Sequence, residues 1–419
     1  MPIHDVARGP SLFRSLIPRP TRPRPLALLV GPSFVAAIAY VDPGNFATNY
    51  VAGSTLGYTL VWVVLAANIM AMFVQSLTAK LGLATGRSLP ELCREHLPRP
   101  LTRFLWAQGE LVAMATDIAE VIGGAIALNL LFGIPLVAGG VITGVIAMVL
   151  LSLTAAGYRP FEIVIGLLLL VIVAAVAMQV LQVGVDGPGF AAGLVPGFGD
   201  DTGVLLACGI LGATVMPHVI YLHSGLTSRR NPGDAVSRNR QLRTQRTDIV
   251  VALGIAGFVN LGMLLTAAGA LDGVLPDDSL EAVHAALSTY VGPFAALLFA
   301  VALLISGLAA SGVGTYAGDM IMKGFLQRQI PLLLRRLITL APALLVLLVG
   351  TDPTNALVIS QVVLSIAIPF ALIPLIWFTS RSSVMGRYVN RTRTTVFAAI
   401  GAGLITAINV FLLAQLASS

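Results

Sequence analysis

Two apolar stretches of the chain are each interrupted by a proline with a metal-capable side chain directly before it. The first reads Ala39-Tyr40-Val41-Asp42-Pro43-Gly44-Asn45 and the second Ala213-Thr214-Val215-Met216-Pro217-His218. Proline has no N–H, so a helix running into it loses the bond to the carbonyl four residues earlier. Those carbonyls belong to Ala39 and Ala213. In hydrocarbon an open backbone acceptor is tolerated only where it is buried in protein or lines a cavity. Each break therefore offers a bare carbonyl beside a side-chain ligand: Asp42 and Asn45 at one, Met216 at the other. That combination points to a divalent-metal site inside a membrane.

Composition places the breaks in a bilayer. Hydrophobic residues make up 57% of the chain and charged residues 11%, against roughly 45–50% and 25% in soluble domains. About eleven runs approach the ~20 apolar residues that cross a membrane. They lie near 26–52, 57–80, 101–131, 134–156, 161–184, 203–227, 247–271, 291–325, 332–350, 354–378 and 394–416. The longer ones imply tilt, a break or extension beyond the membrane.

Lysine and arginine collect on the cytoplasmic side of membrane proteins, which tests the count. With the N-terminus inside, all 25 basic residues fall in or beside the arm or an even-numbered gap. The arm carries Arg8, Arg14, Arg19, Arg22 and Arg24. Lys80, Arg87, Arg94, Arg99 and Arg103 surround the second gap, and Arg159 lies in the fourth. Arg229, Arg230, Arg238, Arg240, Arg243 and Arg246 fill the sixth. Lys323, Arg328, Arg335 and Arg336 border the eighth, and Arg381, Arg387, Arg391 and Arg393 the tenth. The other gaps hold only acids, among them Asp186, Asp272, Glu281 and Asp352. The chain reads as an all-α polytopic protein of the cytoplasmic (inner) membrane, N-terminus inside and C-terminus outside.

Several classes are excluded or disfavoured. The net charge of +6 follows from membrane orientation and calls for no nucleic-acid partner. A cleavable signal peptide fits poorly, because the first apolar run continues through Asp42 without an early small-residue cleavage site. Cys93 and Cys208 suggest neither a disulfide nor a thiolate metal site. No HExxH, GxSxG or Cys/His cluster supports an enzyme. No cofactor and no obligate protein partner is evident.

The broken spans are the first and the sixth, five apart, so the two five-span halves have opposite orientation. Interrupted helices at matching positions of two halves mark a transporter's binding site. The expected units are a cytoplasmic arm (1–25), a first repeat (26–184), a second, inverted repeat (203–378) and an additional eleventh helix (394–416).

Asp42-Pro43-Gly44-Asn45 and Met216-Pro217-His218 resemble the paired signatures of the NRAMP family of proton-coupled divalent-metal transporters. Gly212-Ala213-Thr214 and Ala115-Thr116-Asp117-Ile118-Ala119-Glu120 are similar to it as well. The likeness runs from about Pro32 to the last span. It implies a leucine-transporter-like inverted repeat, shared with sodium-coupled amino-acid symporters, and import of Mn(II) or Fe(II) as a transported substrate.

Each candidate ligand also has a plainer reading. Asp42 can cap the half-helix that follows, but an isolated intramembrane carboxylate is functional by default. Asn45, three residues on, is read as a ligand rather than a packing amide. Methionine in a span is usually core filler; at a break beside Asp42, the Met216 thioether favours late transition metals over Ca(II) and Mg(II). Ala39 and Ala213 would act through their carbonyls. Gln361, in the tenth span, completes the site in the occluded state by family resemblance; as a lone buried amide it is equally an interhelical hydrogen bond.

Glu110, Asp117 and Glu120 share one face of the third span and must face the bundle interior. They read as a proton relay or as partners for buried cations, with Arg335 and Arg336 at the start of the ninth span as the cations. For Glu120 an ion-pair latch at the cytoplasmic mouth is nearly as good a reading. His218 suits a proton carrier, with plain packing as the alternative. His223 lies about 140° further round the helix, so the two make no same-face pair; His223, His96 and His284 receive no role. Ser306-Gly307 and Ser311-Gly312-Val313-Gly314 in span eight mark a close helix contact. The competing function is a sodium- or proton-coupled symporter of the same architecture for an organic substrate such as an amino acid, whose carboxylate Asp42 would repel.

Overall fold

Caps and prolines set the helix boundaries. The computed structural model describes residues 31–152, 158–230 and 235–418, and every regular element among them is helical. The arm expected at 1–25, with its five arginines, lies outside the described residues. The first span is two helices, α1 (Pro32–Ala39) and α2 (Pro43–Leu56). Pro43 opens α2, where a missing N–H is harmless, and Asp42 caps it by accepting from the Asn45 backbone N–H at 2.8 Å. Spans two and three are α3 (Val61–Thr85) and α5 (Arg99–Phe132), joined by a short α4 (Leu89–His96). α6 (Leu136–Ser152) and α7 (Tyr158–Val183) complete the first half, and α8 (Gly187–Ala192) lies in the loop beyond it.

The second half repeats the plan. Its first span divides into α9 (Asp201–Thr214) and α10 (Pro217–Ser228), with Met216 at the cap position and Pro217 at the first helical position. α11 (Ala235–Ala270) follows, then a short α12 (Leu280–Ala286), α13 (Pro293–Leu326), α14 (Leu332–Val349) and α15 (Pro353–Thr379). A short α16 (Ser382–Met385) leads to α17 (Thr392–Ser418), the eleventh span. Among the described residues eight segments are long and apolar enough to cross a membrane, counting Asp201–Ser228 as one. The shorter α6, α14 and the divided first span bring the crossings to eleven.

The packing has the symmetry of an inverted repeat. α5 and α13, both 34 residues long, form the most extensive helix pair. α2 packs on α11 as α10 packs on α3, and α15 on α5 as α7 on α13. The span-eight glycines explain how α13 approaches α5: a Cβ at Gly307 would stand 2.9 Å from the Glu120 carbonyl oxygen. One connection differs from expectation. The polar stretch 228–246 reads as a cytoplasmic link, yet α11 already begins at Ala235. Its 36 residues would span about 54 Å at 1.5 Å each, far more than a ~30 Å hydrocarbon core. The first turns, rich in arginine and glutamine, therefore extend out of the membrane as helix.

Gly212 on α9 meets α15 backbone to backbone: a Cβ there would lie 1.9 Å from the Gln361 carbonyl oxygen and 2.8 Å from the Ser365 nitrogen. Backbone cannot step aside as a side chain can. Gly212→Ala is expected to lower stability by about 1–3 kcal/mol, as overpacking does. Gly403→Ala on α17, where nothing lies within 4 Å, should leave it unchanged. Thermal unfolding of both variants in detergent checks the contrast.

Candidate metal site at the paired helix breaks

The two breaks are tied together by one amide. Asp42 Oδ1 accepts from both the backbone N–H and the side-chain Nδ2 of Asn45, each at 2.8 Å. The same Asn45 Nδ2 donates to the Ala213 carbonyl at 3.0 Å, the acceptor that Pro217 cannot serve. Gln361 closes the group from α15. Its Nε2 stands 3.5 Å from Asp42 Oδ2 and 3.1 Å from Ser360 Oγ. A Cβ on Gly44 would fall 1.8 Å from that Nε2, so Gln361 lies directly on the first turn of α2. Gln361 thus lies at the first break, where its contact with Asp42 is an interhelical hydrogen bond.

Two oxygens of this group have no hydrogen-bond partner although they are buried, Asn45 Oδ1 and Gln361 Oε1. A buried polar atom left unpaired is costly, and two of them beside a carboxylate suit a cation. Met216 is fully buried, three residues beyond Ala213, and makes no side-chain cap bond to α10. Its sulfur stays outside the hydrogen-bond network. Ala39 ends α1 on the near side of the first break. The neighbouring carbonyls are already satisfied: Tyr40 accepts from Asn260 Nδ2 at 2.9 Å and Val41 from Ser306 Oγ at 2.5 Å. Asn260 escaped the sequence reading, and Ser306 was read only as part of a close helix contact. A lone amide in the apolar seventh span was the available signal for Asn260.

The acidic face of α5 meets arginines, as the sequence suggested. Arg335 Nη2 and Nη1 reach Glu110 Oε2 and Oε1 at 2.6 and 3.3 Å. Arg336 Nη1 donates to Asp117 Oδ1 at 2.7 Å and Nη2 to Ser311 Oγ. Glu120 is buried beside Asp117 and Arg336, and its Oε2 has no partner. His218 Nδ1 lies 3.3 Å from Thr116 Oγ1, one residue before Asp117, while its Nε2 has no partner. His218 thus bridges the second break and the acidic helix.

His223, given no role from sequence, is the centre of a buried polar chain. Its Nδ1 is 2.7 Å from Gln75 Oε1, and its Nε2 is 3.3 Å from Gln245 Nε2. Gln75 Nε2 donates to the Tyr40 hydroxyl at 2.6 Å and Gln245 Nε2 to Ser33 Oγ at 2.6 Å. An amide N–H facing Nε2 requires Nε2 to accept, so Nδ1 carries the proton. The chain joins α1 to α3, α10 and α11. Among the described residues no group of three or more His, Cys, Asp or Glu could hold a metal. The candidate site instead combines one carboxylate with two amides and the Ala213 carbonyl.

Half-helices that meet in mid-membrane across an inverted repeat define a secondary transporter. Mhp1, a nucleobase-cation-symport-1 family transporter, shares this fold: TM-score 0.59 over 92% of this chain and 91% of that one, at 18% identity. The chain belongs to the Nramp (natural resistance-associated macrophage protein-like) family, whose profile matches residues 33–415. It is 49% identical over 415 residues to the divalent metal cation transporter MntH of Deinococcus radiodurans, covering 98% of this chain and 95% of that protein. A manganese transporter of Eremococcus coleocola, solved in complex with an aromatic bis-isothiourea substituted compound, superposes with TM-score 0.84 at 32% identity. That alignment covers 92% of this chain and 86% of the other.

The Asp117–Arg336 pair, 2% and 1% exposed at the side chains, gives a direct test of the acidic face. Arg336→Gln strands a buried carboxylate and should cost about 3–5 kcal/mol. Combining it with Asp117→Asn removes both charges and should restore most of that loss. Unfolding midpoints of the two singles and the double measure the coupling.

Proposed function

We propose that this chain imports divalent transition-metal ions, Mn(II) and Fe(II) among them, across the cytoplasmic membrane in exchange for no chemical change, linked to proton movement. The observation that carries the reading is the Asn45 amide spanning Asp42 and the Ala213 carbonyl, with the orphan oxygens of Asn45 and Gln361 beside it. Asp42, Asn45, Met216, Gln361 and the Ala39 and Ala213 carbonyls are the ligands in this reading. The oxygens accept any dehydrated divalent cation, and the Met216 sulfur disfavours Ca(II) and Mg(II).

Binding a cation at Asp42 requires the carboxylate to be unprotonated, so metal entry releases any proton held there. His218, next to the second break and bonded toward Thr116, leads to Asp117, and Glu120 lies beside that carboxylate. Protons travel inward along this face, while Glu110–Arg335 holds α14 against α5. The N-terminus lies inside and the C-terminus outside, because every lysine and arginine then borders the cytoplasm. Residues 26–184 and 203–378 act as the two repeats that rock around the fixed site, and 394–416 stands apart.

The test is uptake of radiolabelled manganese into proteoliposomes that carry an internal pH dye, with competing metals outside. Metal uptake without internal acidification would remove the proton link and leave the metal assignment standing. Met216→Ala should accept Ca(II) as a competitor of Mn(II), with Mn(II) affinity down about tenfold, or ~1.4 kcal/mol. Rejection of Ca(II) as complete as in the parent would count against a selective role for the sulfur. Asp117→Asn, normalised to folded protein, should retain part of the metal flux while losing its stimulation by external acid. An unaltered pH profile would sink the relay.

A further inference from the structure

We propose that a basic cavity at the cytoplasmic corner of α3, α11 and α17 binds the phosphate headgroup of an anionic phospholipid, held by Lys80, Arg243, Arg246 and Arg391. The cavity measures about 700 Å³. These four cations line it together with Asn239 and Tyr388, and among the described residues no acid contributes to its wall.

Orientation alone explains why cations lie on this side, but not why these four share one unpaired cavity. Several basic residues elsewhere on the same side have acids: Arg87 and Arg94 face Glu95, Lys323 faces Asp319, and Arg335 and Arg336 face Glu110 and Asp117. Among the described residues none of the four cavity cations forms an ion pair. Lys80 donates instead to the Asn390 side chain, and Arg246 stands close enough to act on it as a like charge. Like charges gathered without a counter-ion repel, and a bound anion relieves that repulsion.

The surroundings select a lipid over a free phosphate. Phe73 and Leu77 supply an apolar wall to the cavity. Phe73 also packs edge-on against Phe397 at 4.9 Å. Exposed apolar side chains continue along the same three helices, with Ile69, Val250 and Phe397 at 61%, 56% and 50% exposure. A headgroup seated on the cations would thus have a surface for its acyl chains, which an inorganic ion does not need. Basic pockets between spans at the cytoplasmic surface are suited to such headgroups. Gln245, between Arg243 and Arg246, points inward to Ser33 and His223, so a lipid here would grip the helix that steadies α1.

The cytoplasmic placement rests on the orientation proposed above, but binding itself involves neither metal nor protons and is measured separately. Full-length protein in detergent is incubated with phosphatidylglycerol or phosphatidylcholine, and bound lipid is counted by native mass spectrometry. Phosphatidylglycerol should be retained in preference, and each cation removed should weaken it about fivefold. K80Q/R243Q/R246Q/R391Q should abolish the preference, whereas R99Q/R103Q/R328Q/R381Q, which removes equal charge elsewhere on that side, should preserve it. R243Q and R391Q singly carry the test if the fourfold variant does not fold. Equal loss in both fourfold variants would overturn the site, as would unchanged retention in the first. Displacement of the lipid by millimolar inorganic phosphate would overturn the lipid assignment.

Discussion

Hydrocarbon offers no hydrogen bonds, so each interruption of a helix must be answered by another part of the protein. The first span answers with side chains from distant helices: Asn260 takes the Tyr40 carbonyl and Ser306 the Val41 carbonyl. The sixth is answered from within the first, through Asn45 and Ala213. This reciprocity holds two otherwise unstable breaks at one point. The residue that stabilises one break thereby becomes a ligand candidate at both.

A second constraint acts on charge. Arg336 is among the largest fully buried side chains, and it is accommodated because Asp117 and Ser311 both receive it. Such a pair adds little net stability over an apolar equivalent, since desolvation opposes attraction. Its effect is positional. It fixes α14 against α5 at one register and keeps a carboxylate facing the interior, one helical turn from Glu120 and next to the histidine of the second break.

Much of this was legible in the sequence because bilayer physics writes itself into composition. Span number followed from apolar length, and the breaks from two prolines with unusual neighbours. Asp42, Asn45 and Gln361 were named and do assemble, since lone polar groups in apolar helices rarely lack purpose. What stayed hidden were pairings between distant positions. Nothing in the local pattern joins Gln75 to His223, or Gln245 to Ser33, because each is an isolated polar residue whose partner is set only by helix packing. The helical extension of α11 was missed for a different reason: a polar segment reads as a loop when hydropathy alone is consulted, although arginine and glutamine form helices well.

Gln361 sits between two glycines, with Gly44 beneath its side chain and Gly212 against its backbone. That leaves α15 no slack. A tilt of this helix must carry the amide away from Asp42 in the same movement that parts it from α9. In the proposed reading, gate and candidate ligand would then be one rigid lever, and an ion would feel its coordination shell open at the instant the path does.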